Sequence, residues 1–223
     1  MNRVLISGYV VGMLQTNCWF LRREGWQEAV VVDPGDAGQQ LTEAIERQGM
    51  RITAILLTHA HFDHIGGVRE MRKATNAPLF LCDRERRLDH DPGFNLSSMY
   101  DRPVTVQPDT WLRDGEEVML AGMTFRCIWT PGHTEGSCCY YIEETGREDE
   151  QGTACPPILL TGDTLFRQSV GRTDFPTGSE EALSRSVREK LYVLPEETLV
   201  FPGHGDATQI GYEKGHNYVV PAI

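Results

Sequence analysis

Four short apolar runs in this chain each end within four residues of a side chain able to bind a metal. Ile52-Thr-Ala-Ile-Leu-Leu57 leads into His59-Ala-His-Phe-Asp-His64, and Phe125-Arg-Cys-Ile-Trp129 into Thr130-Pro-Gly-His133. Ile158-Leu-Leu160 leads into Thr161-Gly-Asp163, and Leu199-Val-Phe201 into Pro202-Gly-His-Gly205. Short runs this apolar and β-branched read as buried strands. The pattern therefore calls for a sheet-based α/β fold with its polar groups gathered along one edge, held by rigid elements. Gly66-Gly67 closes the first cluster, and Val68, Met71 and Ala74 then recur at helical spacing, so that cluster is a strand-to-helix loop.

Five of the seven histidines fall in this pattern. With Asp63 and Asp163 they make a donor set of imidazole and carboxylate, which suits zinc, iron or manganese. The absence of thiolate separates it from closed cysteine-type structural sites. One structural zinc needs about four ligands. His59, His61, Asp63, His64, His133, Asp163 and His204 are enough for two ions sharing a bridge, and the expectation is a two-metal hydrolytic centre. His90 and His216 lack this context and are expected to be solvated or locally bonded.

A length of 223 residues suits one domain with a sizeable core. The formal net charge of −11 argues against nucleic-acid binding, which needs a basic footprint. It leaves anionic substrates open, because metal ions are often the largest local charge in a site. No run of about eighteen apolar residues is present, so no membrane span is expected. Val4–Leu14 has two internal glycines and no small-residue cleavage site, so it reads as strand and turn rather than a signal segment. The six cysteines include no C-x-x-C pair and read as reduced, mostly buried residues of a cytoplasmic protein.

Strands are expected at Val4–Tyr9, Cys18–Leu21 and Ala29–Val32. A helix then starts with Asp36 as its N-cap, turns Leu41, Ala44 and Ile45 inward, and stops at Gly49. A last helix, from Ser179 to about Tyr192, is capped by Ser179 and shows Leu183, Val187 and Leu191 at fourfold spacing. Asp83–Arg102 is charged and turn-rich and reads as a surface excursion, or as a lid through Phe94, Met99 and Tyr100. Glu143–Pro157 reads as a solvated connection.

The order H-x-H-x-D-H, His, Asp, His, with Leu14-Gln-Thr-Asn-Cys18 and Val31-Val-Asp-Pro-Gly-Asp36, resembles the metallo-β-lactamase-fold hydrolases over essentially the whole chain. Gly162-Asp-Thr-Leu-Phe166 and Gly171-Arg172 are most similar to glyoxalase II (hydroxyacylglutathione hydrolase) and its shorter relatives. The resemblance implies a four-layer αβ/βα sandwich formed by residues 1–223 as a single domain, without the C-terminal helical domain that helps full-length glyoxalase II hold glutathione. It implies one divalent ion on His59, His61 and His133, a second on Asp63, His64 and His204, and Asp163 as bridge. Zinc is the first expectation, with iron or manganese as alternatives. The implied reaction is hydrolysis of a small-molecule thioester such as S-lactoylglutathione by a hydroxide shared between the ions. Asp63 would orient the hydroxide, and Arg172 would contact a substrate carboxylate or pair with Asp174. Gly171-Arg-Thr-Asp-Phe175 also resembles the persulfide dioxygenases, which use one iron, although Val170 stands where those enzymes commonly have Cys. A β-lactamase is the weaker reading, because such enzymes normally carry an export signal. The oligomeric state is left open.

Overall fold

The apolar runs form the strands of two six-stranded sheets in a computed structural model, which describes residues 2–100, 103–146 and 155–222. The first sheet takes its strands in chain order: β1 (Val4–Val11), β2 (Thr16–Arg23), β3 (Glu28–Val32), β4 (Arg51–Leu56), β5 (Leu79–Cys82) and β6 (Thr110–Leu112). The second sheet is built from β7 (Glu117–Leu120), β8 (Met123–Trp129), β9 (Cys138–Ile142), β10 (Ile158–Gly162), β13 (Leu199–Pro202) and β14 (Thr208–Gln209), in the order β14-β13-β10-β9-β8-β7. A small hairpin of β11 (Leu165–Phe166) and β12 (Ser169–Val170) follows β10 in the chain.

Three separate apolar clusters define four layers. The central one joins inner faces of both sheets, with Leu21, Val32 and Leu56 from the first and Phe125, Tyr140 and Leu160 from the second. Tyr140 is fully buried there, and its hydroxyl donates to the Leu57 carbonyl at 2.8 Å, so its polar end is satisfied. The second cluster packs the outer face of the first sheet against α1 (Gly38–Glu46) and α3 (Val68–Thr75), which follows the single turn of α2 (Phe62–Ile65), through Leu41, Ile45, Val68 and Met71. The third packs the outer face of the second sheet against the π-helical segment Val187–Leu191, which continues α4 (Glu180–Ser186), and against Ile210 of α5 (Ile210–His216). Each fully buried aliphatic or aromatic side chain contributes about 1.5–3 kcal/mol. Among the described residues, no helix is long and apolar enough to cross a membrane. Cys18, Cys82, Cys127, Cys138 and Cys139 are buried thiols outside any disulfide.

Helix details depart from the sequence pattern at two places. Asp36 is not the N-cap of α1: Ala37 holds that position at φ 53°, and its own side chain makes no cap hydrogen bond. Asp36 instead accepts the Ala37 N–H at 2.7 Å, while Glu70 of α3 takes the Gln39 N–H at 3.2 Å. The first turn is thus served from a neighbouring helix. In α3, Ala74 is exposed, and the inward positions are Val68 and Met71. Ser179 does cap α4, accepting the Ala182 N–H, and Leu183, Val187 and Leu191 are buried as their spacing predicts.

The Asp83–Arg102 segment is anchored by Asn95, whose amide donates to the carbonyls of Leu88 and Val104. Phe94 packs on the core, Met99 is exposed, and Tyr100 stacks on Phe62 with ring centroids 4.3 Å apart. The last two residues of that segment, and the middle of the Glu143–Pro157 connection, lie outside the described residues.

Candidate metal centre

The strands carrying the donors all run toward one edge. β3, β4 and β5 are parallel, as are β10 and β13. β8 runs the same way as β10, because both pair antiparallel with β9. Residues just past the ends of β4, β8, β10 and β13 therefore converge, the usual place for a site on an α/β sheet. All seven predicted donors meet there. His59, His61 and His133 form one trio, Asp63, His64 and His204 another, and His59, His64 and Asp163 a third set; within each set the donor atoms lie within 4.8 Å of one another. His90 and His216 stay apart: His90 pairs with Asp89, and His216 stacks on Tyr212.

Close backbone approach makes the convergence possible. A Cβ on Gly203 would sit 2.3 Å from Asp163 Oδ1, and one on Gly171 only 1.8 Å from the Asp163 carbonyl oxygen. The start of β2 closes the site from the opposite sheet. The Asn17 amide donates to the carbonyls of Pro202 and Gly205, beside His204, and the Thr16 hydroxyl donates to Asp63 Oδ2 at 2.8 Å.

The outer hydrogen bonds aim the rings. His133 Nδ1 donates to the Arg172 carbonyl at 2.8 Å, leaving the Nε2 lone pair directed inward. Asp33 does this for two rings at once. Its Oδ2 takes His64 Nδ1 at 3.0 Å and the Thr58 hydroxyl at 2.6 Å. Because that hydroxyl donates to Asp33, its oxygen accepts from His59 Nδ1 at 3.1 Å. The Thr58 N–H completes the arrangement on Asp33 Oδ1 at 2.8 Å.

Burial pushes His59 well below the ordinary histidine value, and the surrounding rings add to the effect. His61 falls to about 3, first through burial and then through His133, and His133 is lowered mainly by burial. This trio is neutral near pH 7, with lone pairs available. Burial acts the same way on His64, but Asp63, Asp163 and Asp33 outweigh it and raise the ring well above its usual value. His204 is raised by its hydrogen bond to Asp63 and by Asp163, against burial. Burial opposes charge on Asp63, yet His64, His204 and Thr16 hold that carboxyl below the usual range.

The donor set fits a metal. His59 Nε2, His61 Nε2, His64 Nε2 and Asp163 Oδ1 are buried without a hydrogen-bond partner, a costly arrangement unless something else satisfies such groups. His61 Nδ1 and His133 Nε2 also face each other at 2.8 Å. Arg172 is not free in this arrangement. Its guanidinium makes two bonds to Asp174, at 2.9 and 2.7 Å, and lies 4.2 Å from the centre of the Phe175 ring. Phe175 in turn stands edge-on to His61, with centroids 5.6 Å apart.

Sequence reasoning did not single out Asp33, Thr58, Thr16 or Glu85, although Asp33 and Thr16 lay within strings that carried the resemblance. The Glu85 carboxylate is buried behind the first cluster and accepts the Ala60 N–H at 2.9 Å. Its charged neighbourhood gave no sign of that.

Residues 11–147 match the family model described as the metallo-beta-lactamase superfamily. The chain belongs to that superfamily. Among relatives of this metallo-β-lactamase-fold protein, the probable metallo-hydrolase YqgX of Bacillus subtilis is 36% identical over 93% of both chains. The hydroxyacylglutathione hydrolase GloC of Haemophilus influenzae is 30% identical, also over 93% of both. The crystal structure of the BLEG-1 B3 metallo-beta-lactamase is 37% identical, with TM-score 0.87, covering 97% of this chain and 99% of that one. The structure of TTHA1623 in a di-iron-bound form is 32% identical, with TM-score 0.79, covering 95% and 98%. The shared fold and the donor cluster make this chain a metallo-hydrolase of the metallo-β-lactamase fold.

Proposed function

We propose that this protein hydrolyses a small acyl thioester, S-lactoylglutathione or a close relative, at a centre of two divalent cations. The position of Asp163 carries the reading. Its Oδ1 lies 3.4 Å from His64 Nε2, while its Oδ2 lies 3.6 Å from His133 Nε2 and 3.5 Å from His204 Nε2. One carboxylate thus faces donors of both trios. His59, His61 and His133 would hold one cation, Asp63, His64 and His204 the other, with Asp163 shared between them. When bound, such a pair supplies an acidified water and positive charge for a developing oxyanion. The donor types accept zinc first, with iron or manganese as alternatives.

The chain's own groups orient the reaction. Asp63 stays ionised and presents an acceptor that can direct a water proton. Phe175 and the stacked Phe62–Tyr100 pair give the site apolar walls for an acyl or thiol stem. Arg172 offers a cation to a remote carboxylate of the substrate by exchanging Asp174 for it. A thiolate leaving group needs little protonation, so no dedicated general acid is required. The full-length similarity to GloC supports a thioester, and −11 net charge with five buried reduced thiols supports a cytoplasmic small-molecule enzyme.

The test combines elemental analysis of protein purified without chelator with three assays: cleavage of S-lactoylglutathione, oxygen uptake with glutathione persulfide, and opening of a chromogenic β-lactam. The β-lactam arm is included because BLEG-1 is so similar. Close to two metal equivalents and thioester cleavage as the dominant activity are expected. One iron with persulfide-dependent oxygen uptake would replace the proposal with a dioxygenase, and dominant β-lactam turnover would replace it with a lactamase.

A further inference from the structure

We propose that Glu85 is a positioning residue that sets the cation affinity of the His59–His61–His133 trio by fastening its two loops together. The proposal rests on the metal reading above. Glu85 is fully buried, although Arg84, Arg86 and Arg87 around it are exposed. Its Oε1 accepts the N–H of Ala60, the amide between His59 and His61, at 2.9 Å. The hydroxyl of Thr134, next to His133, reaches Oε1 at 3.0 Å and Oε2 at 2.9 Å, and the Gly136 N–H adds a bond from the same loop.

These partners are neutral donors. A buried carboxylate held by neutral donors is costly, so its effect must be sought in what it joins. It joins the loop after β4 to the loop after β8, with one anchor beside each part of the trio. The Glu85 segment, just past β5, also packs on the second loop through backbone: a Cβ on Gly136 would lie 2.3 Å from Glu85 N and 2.4 Å from the Arg84 carbonyl carbon. Between the two anchors, His61 Nδ1 and His133 Nε2 stand 2.8 Å apart. Donor sets must be held to within about 0.5 Å to serve a metal well, and Glu85 fixes the loop-to-loop distance on which this pair depends.

The second trio has other supports. Thr16 holds Asp63, Asp33 holds His64, and the Asn17 amide holds the His204 loop. Loss of Glu85 should therefore weaken one cation selectively. Here Glu85 acts only through other residues, since it reaches backbone and Thr134 rather than a ring.

The experiment reloads metal-free full-length protein with zinc against a competing chelator, for wild type, Glu85→Ala, Glu85→Gln and Thr134→Val. Histidine-ring 15N NMR reports which rings are metallated. In Glu85→Ala the equivalent sensed by His59, His61 and His133 should weaken about 10- to 100-fold, while that sensed by His64 and His204 holds. Glu85→Gln keeps an acceptor for Ala60 and should recover part of the loss. Thr134→Val should fall between the two, and these milder variants carry the test if Glu85→Ala does not fold. Unchanged affinity of the three-histidine equivalent would overturn the proposal. So would equal weakening of both equivalents with a lowered melting temperature of the metal-free protein, which marks a purely structural role. Wild-type protein that takes up no cation would overturn the metal reading itself, and the proposal with it.

Discussion

Asp33→Asn tests the outer hydrogen bonds of the site directly, because the amide cannot reproduce the pattern of a carboxylate. In the native site both Asp33 oxygens accept: Oδ1 from the Thr58 N–H, and Oδ2 from the Thr58 hydroxyl and His64 Nδ1. If the asparagine oxygen replaces Oδ2, its NH2 faces the Thr58 N–H, donor against donor. If the amide is reversed, the NH2 faces His64 Nδ1, and the ring must shift its proton to Nε2. That nitrogen would then point an N–H, not a lone pair, at the metal position. A buried donor left unsatisfied costs about 1–3 kcal/mol, and a hydrogen bond to a charged group contributes about 1.5–3 kcal/mol. A loss of about 3 kcal/mol is therefore expected. At about 2–4 °C per kcal/mol for a chain of this length, the chelated protein should melt about 6–12 °C lower. Zinc affinity at the Asp63–His64–His204 trio should fall about 10- to 100-fold. Calorimetry of the chelated variant and a competitive zinc titration measure the two effects. A melting point within 2 °C of wild type, together with unchanged affinity, would show that Asp33 does not set the histidine tautomers.

Three further outcomes are expected. Asp163→Ala removes the group facing both trios and should drop metal content below one equivalent, whereas Asp63→Ala should leave about one; two tightly bound ions in Asp163→Ala would refute the shared role. Arg172→Ala should raise KM more than it lowers kcat if the guanidinium holds a remote carboxylate, while unchanged kinetics with a lower Tm would make it structural. The Glu85 carboxyl is pushed by burial from its ordinary 4.5 up to about 7. A raised folded-state value means its contribution to stability is full below about pH 4.5 and is lost as pH rises through about 7. At about 1.4 kcal/mol per pH unit, the stability of chelated wild type relative to Glu85→Gln should fall by about 3 kcal/mol between pH 4.5 and 8, and urea titrations giving a constant difference would contradict the burial argument.

The donors were legible because each stands just past a short apolar strand, a local pattern that chain order preserves. The four layers were legible through the resemblance, since periodicity alone gives strands and helices without their stacking. What escaped depended on distant neighbours. Glu85 sits in Asp83-Arg-Glu-Arg-Arg87, which reads as a solvated run, and its burial follows from an amide 25 residues earlier. Asp33 acts on His64 because β3 lies beside β4 in parallel register, with Val32 opposite Leu56, a pairing that no local pattern reveals. The start of α1 was misread because its amide finds Glu70 on another helix, so the nearest acidic residue was not the cap.

The clasp between the start of β2 and the end of β13, where the His204 loop begins, joins residues 185 positions apart. The cation pocket is accordingly among the last things the polypeptide can complete: nearly the whole chain must be synthesised and both sheets docked before the second trio exists. A cation at the second trio would then bind the finished molecule and not its precursors, and would pull the folding equilibrium forward by mass action. Cation supply during synthesis would govern how much of this protein a cell retains, as well as how active each molecule is.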